Sequence, residues 1–79
     1  MKTSKQIRRF VDRELLSHGV PVGIDPLADG LLDSLAVEQL IAFLEESFDI
    51  EFDDEELVAE NFATIETVAT FVDNKKARR

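Results

Sequence analysis

Ser34 stands between Asp33 and Leu35 at the point where a loop becomes an amphipathic segment, in the run GLLDSLAVEQLIAFLEESF at residues 30–48. A serine nucleophile needs a base within hydrogen-bond reach, and His18 is the one histidine in the chain. It closes the first helical segment, where an imidazole beside the negative helix end is an ordinary structural choice, so a His18–Ser34 hydrolase is a weak expectation. The run DIEFDDEE places Asp49, Glu51 and Asp53 at alternating positions, but Asp54 occupies the place where a calcium loop turns on glycine. A solvated acidic face is expected there, with at most weak divalent-ion association and no dedicated metal site. DGLLDS lacks the second glycine and the lysine of a phosphate loop. With no cysteine in the chain, neither a thiolate nucleophile nor a disulfide or thiolate-zinc site can be built. An enzyme is therefore not expected. Asp33 or Ser34 as an N-cap accounts for the local pattern without any chemistry.

The elements that position Ser34 follow from spacing. Thr3 or Ser4 can cap a first helix over residues 4–17, with Ile7, Phe10, Val11 and Leu15 on one face and Gly19 as its stop. VPVGIDPLADGLLD, residues 20–33, holds both prolines and two of the three glycines, and reads as a long structured loop. Its apolar residues, Val20, Val22, Ile24, Leu27, Leu31 and Leu32, predict that it folds back over the helices. A second helix begins at Asp33 or Ser34 and ends near Ser47 or Phe48. At about 100° per residue, Val37, Leu40, Ile41, Leu44 and Phe48 share one face, and Leu35, Gln39, Ala42 and Glu46 lie opposite, flanked by Glu38 and Glu45. Asp53 with Glu56 predicts a capping box opening a short third helix or turn. Thr64 then caps a fourth helix with Ile65, Val68, Ala69 and Val72 inward and a basic end at Lys75, Lys76, Arg78 and Arg79. The expected architecture is all-α: one domain over residues 1–79, a four-helix bundle with a long loop between helices one and two and a short third helix.

Charge is segregated along this chain. All nine Lys and Arg fall in residues 2–13 and 75–79, whereas residues 19–73 carry fifteen Asp and Glu and no Lys or Arg. Such a surface repels a phosphate backbone, so nucleic acid is not an expected partner and a protein with a basic patch is. No apolar run has the form of a signal peptide or the length of a membrane span, so a cytoplasmic, non-inserted monomer is expected.

DSL at 33–35, opening an acidic helix that closes FLEESFDIEF, together with the ending NFATIETVATFV, resembles the acyl carrier and peptidyl carrier protein family over nearly the whole chain. The resemblance implies that Ser34, flanked by Asp33 and Leu35, carries 4'-phosphopantetheine, attached by a phosphopantetheinyl transferase, and that Leu35, Glu38, Glu45 and Glu46 form the face partners dock on. It implies an acyl or aminoacyl cargo held as a thioester, passed from an adenylate-forming ligase or synthase to a downstream acyltransferase or condensing enzyme. Leu31 and Leu32 stand before DSL, and Ala36 and Gln39 stand where fatty-acid synthase carriers usually have acids. These features resemble stand-alone, ligase-associated carriers, including the D-alanyl type. Phe43, beside the core face, is expected to fill space a long acyl chain would need, which favours a short or polar cargo. The alternative expectation is an acidic adaptor bundle that docks partners without being modified.

Overall fold

In a computed structural model that describes residues 2–16, 19 and 21–78, every regular element is helical. Helix α1 spans Thr3–Phe10 and runs on as a π-helical turn over Val11–Leu15. Helix α2 spans Ser34–Phe48, two 3₁₀ turns follow at Asp54–Glu56 and Ala59–Phe62, and helix α3 spans Ile65–Ala77. A single apolar cluster joins them: Ile7 and Val11 from α1 and its π turn, Leu40, Leu44 and Phe48 from α2, Ile50 after it, and Ile65, Val68, Ala69 and Val72 from α3. Each large side chain buried there contributes roughly 1.5–3 kcal/mol relative to exposure. The inward stripes of α2 and α3 are the ones their spacing predicts, although Val37 and Ile41 are only half-buried.

Helix α1 departs from expectation at both ends. Neither Thr3 nor Ser4 caps it; Lys2 holds the cap position without a side-chain bond. The Thr3 hydroxyl is instead 2.5 Å from Asp73 Oδ1, which ties the start of α1 to the last turns of α3. At the other end Leu16 N–H bonds back to Val11 C=O, the five-residue step of a π turn, and Leu15 and Leu16 both pack on the core. Residue 17, the expected helix end, and His18 and Val20 lie outside the described residues.

The expected third helix is two separate turns. Asp53 and Glu56 form the predicted capping box, with Asp53 N–H 2.8 Å from Glu56 Oε1. Leu57 then leaves helical geometry, Val58 is extended, and Asn61 Nδ2 donates to Glu56 C=O at 2.8 Å, so the first turn is closed off after three residues. Thr64 caps α3 as predicted, accepting from Thr67 N–H at 3.0 Å.

Candidate functional site

The connection into α2 is built around Asp25. Its Oδ1 accepts from Leu27 N–H at 2.9 Å and Ala28 N–H at 3.0 Å, and its Oδ2 accepts from Ile65 N–H, the first residue of α3, at 3.0 Å. One turn follows the cap: Pro26, fully buried, needs no N–H at the first position, and Gly30 at φ 69° ends the turn. Gly30 N–H bonds to Leu27 C=O and Leu31 N–H to Pro26 C=O, the paired bonds of a glycine-terminated helix end. Arg8 of α1 donates to Ile24 C=O on the same segment. The loop is thereby fastened to both α1 and α3. Burial opposes ionisation of Asp25, but the N–H donors of Ala28, Ile65 and Leu27 and the Arg8 charge outweigh it and hold its pKa below the ordinary value.

Fastening the loop does not bury all of its apolar residues. Ile24 is half-buried, and Leu27 and Leu32 pack on the core, as expected. Val22 and Leu31 are exposed, contrary to expectation. Val22 occupies the tip of a turn closed by Ile24 N–H to Pro21 C=O, with Gly23 at φ 83° beside it, so its side chain projects outward. Leu31 follows the left-handed Gly30, which reverses the chain and leaves Leu32 as the inward residue.

At the head of α2 the capping task falls to Asp33, whose Oδ1 accepts from Ala36 N–H at 2.8 Å. Ser34 is the first helical residue and is exposed, and no hydrogen bond among the described residues uses its hydroxyl. The N–H groups of Ser34 and Leu35 precede the first intrahelical bonds, beside the positive end of the helix. Leu35 is 63% exposed. An accessible hydroxyl with unused backbone donors beside it suits attachment of a group through a phosphate.

The acidic residues singled out by the helical wheel do not behave alike. Glu38 and Glu46 are exposed on the side of α2 that carries Leu35. Glu45 is half-buried and spends Oε2 on Phe52 N–H at 2.9 Å, which fastens the chain after α2 to the helix. It is a structural carboxylate with one oxygen committed.

An apolar groove of about 520 Å³ opens along one flank of α2, lined by Leu27, Val37, Ile41, Leu57, Val58 and Phe62 among others. It starts one turn from Ser34. Phe43 does not fill it. That ring lies on the other flank of α2, stacked on Phe10 of α1 with centroids 4.0 Å apart and meeting Phe48 edge-on at 6.3 Å. The steric argument for a short cargo fails on this point, because Phe43 packs on Phe10 of α1 and does not line the groove. Among the described residues no cluster of three or more His, Asp or Glu is placed to hold a metal ion, and no helix is long and apolar enough to cross a membrane.

Sequence reasoning singled out Ser34, Asp33 and Leu35 but passed over Asp25. Its signal was present as Asp-Pro followed by Asp-Gly at 25–30, a one-turn helix with a proline start and a glycine end. The chain matches no protein-family model, no curated protein and no solved structure.

Proposed function

We propose that this chain is an acyl or aminoacyl carrier of the acyl carrier and peptidyl carrier type, with 4'-phosphopantetheine attached through the Ser34 hydroxyl. One observation carries the reading: Asp33 supplies the helix cap, so Ser34 is left exposed and without a hydrogen bond to its hydroxyl among the described residues, beside an outward-facing Leu35. A serine held for capping would have its hydroxyl on a backbone N–H; this one is available to another protein. The arm supplies a thiol for thioester chemistry, which a cysteine-free chain lacks. The residues here do the rest: Ser34 anchors, the N–H groups at the helix head favour a phosphate, and Asp33 keeps the first turn wound.

In this reading the domain is not itself an enzyme. A transferase adds the arm, a ligase or synthase loads it, and an acyltransferase or condensing enzyme accepts the cargo. Leu35 with Glu38 and Glu46 forms the face these partners meet; Glu45 contributes its charge from a fixed position. The three α-helices and two 3₁₀ turns stand for the four-helix carrier bundle, the split third element forming one wall of the groove. That groove, of a size used for small ligands, gives an apolar cargo a place to fold back against Val37 and Ile41. A cytoplasmic setting follows from such partners.

The test is mass spectrometry of protein incubated with coenzyme A, magnesium and a broad-specificity transferase. A single phosphopantetheinyl adduct mapped to Ser34, absent from Ser34→Ala, supports the reading. An unmodified wild-type chain that still binds partners through Glu38 and Glu46 would instead favour the unmodified adaptor.

A further inference from the structure

The flank of α2 away from the first groove carries a second one with a basic rim. Phe10 and Phe43 stack there, and with Gln6, Arg9, Arg13 and Glu14 they line an open groove of about 440 Å³. Both rings are half-buried, so each keeps part of its surface in water. Arg9 and Arg13 lie on neighbouring turns and are exposed. Among the described residues neither has an ion-pair partner; the salt bridge found there joins Lys75 to Glu56. Lys2 and Lys5, also exposed, extend the same positive strip toward the start of α1. By contrast Arg8, one residue from Arg9, is spent on Ile24 C=O. In a chain of net charge −8, five of the nine cations are collected in residues 2–13, on α1, the cap before it and the turn that continues it.

From this arrangement we propose that the Phe10–Phe43 groove is a docking site for an acidic segment of another protein, one that presents an aromatic or large aliphatic anchor between carboxylates. The anchor meets the exposed parts of the two rings. The carboxylates meet Arg9 and Arg13, whose planar guanidinium groups suit paired hydrogen bonds to a carboxylate. Glu14 at the rim opposes an acidic ligand and limits affinity. The local complementarity of Arg9 and Arg13 to carboxylates is what selects an acidic segment, and a second copy of this chain or an anionic lipid surface is a distinct outcome of the test. The groove lies on a different side of α2 from Leu35, so a partner held here leaves Ser34 accessible. The inference holds whether or not Ser34 carries an arm.

The experiment is an amide chemical-shift titration of the full chain with a short synthetic peptide carrying two phenylalanines among aspartates and glutamates. A version with asparagine and glutamine in place of the acids serves as control, and phosphatidylglycerol vesicles form a separate arm. Shifts centred on Arg9, Phe10, Arg13 and Phe43 are expected. The Arg9→Glu, Arg13→Glu double variant, altered only at exposed positions, should weaken binding about tenfold or more with an unchanged melting temperature, and Glu14→Gln should tighten it about twofold. Added salt should weaken the acidic peptide and leave the neutral one alone. Any one of four results overturns the proposal: no binding at millimolar peptide, equal affinity for the neutral peptide, shifts centred elsewhere, or vesicle binding without peptide binding. Concentration-dependent shifts at these residues in the absence of peptide would assign the groove to self-association and equally overturn it.

Discussion

Replacing Asp25 with asparagine perturbs the loop that leads into Ser34 while preserving side-chain size. The asparagine Oδ1 can still accept from Leu27 and Ala28, but its Nδ2 would face the Ile65 N–H, setting donor against donor where a carboxylate oxygen now accepts at 3.0 Å. Hydrogen bonds to a charged group contribute roughly 1.5–3 kcal/mol. Because Asp25 is only half-buried and keeps some contact with solvent, the lower part of that range applies, about 1.5–2 kcal/mol. For a domain of this size each kcal/mol shifts the melting temperature by about 4–8 °C, so Asp25→Asn should melt roughly 6–16 °C below wild type at pH 7. Asp25→Ala, which also frees the Leu27 and Ala28 donors, should melt lower still.

The pH dependence supplies the refutation. Folding depresses the Asp25 pKa below its ordinary value of 3.8. The stabilisation is therefore fully present above that value and is lost as pH falls through the folded-state pKa. Urea unfolding from pH 7 down to pH 2 should show the wild-type and Asp25→Asn midpoints converging below about pH 4. A gap that persists unchanged at pH 2, or no gap at pH 7, would show that the contacts of Asp25 do not hold the loop to α3.

Asp33→Ala should destabilise by about 1 kcal/mol through loss of the bond to Ala36 N–H, with Asp33→Asn recovering most of it in thermal melts. Ser34→Ala, at an exposed position, should leave the unfolding midpoint within about 0.5 kcal/mol of wild type while abolishing labelling. Reversing Glu38 and Glu46 to lysine should slow loading by a ligase in a salt-dependent way without lowering the melting temperature, whereas reversing Glu45 should also destabilise, because its carboxylate holds Phe52 N–H. Attaching acyl groups of increasing length to the arm should raise the melting temperature and shift Val37, Ile41 and Phe62 resonances, leaving Phe43 still; a Phe43-centred response would show that the cargo uses the other flank.

Helices α2 and α3 were legible because each carries a capping residue and an apolar stripe at helical spacing, local features that tertiary packing reinforces. Position 33 outranked 34 as the cap, and this is what frees the serine, yet both residue types cap well and composition alone cannot choose between them. The start of α1 misled because Thr3 bonds to Asp73, seventy positions away, and no local pattern reports such a partner. The π turn is likewise invisible to a fixed period, since its effect is to bring Leu15 and Leu16 onto the core together. Phe43 was read at the border of the core, but the side it occupies was not legible: a wheel gives the direction of a side chain and says nothing of which helix lies there, here α1 through Phe10. Glu45 was read with Glu38 and Glu46 as one acidic face, and the fold separates it from them by bonding its carboxylate to Phe52 N–H, while Glu56, read only as a capping-box partner, also pairs with Lys75 at 2.8 Å.

The central claim is that the exposed Ser34 hydroxyl is a point of covalent attachment, and the most direct measurement is the intact mass of the chain after co-expression with a phosphopantetheinyl transferase, followed by peptide mapping. The account predicts one phosphopantetheinyl group per chain, located on Ser34 and lost in Ser34→Ala. A chain that stays at its sequence mass with a transferase that modifies a control carrier in the same cells, or an adduct on any other residue, would contradict it.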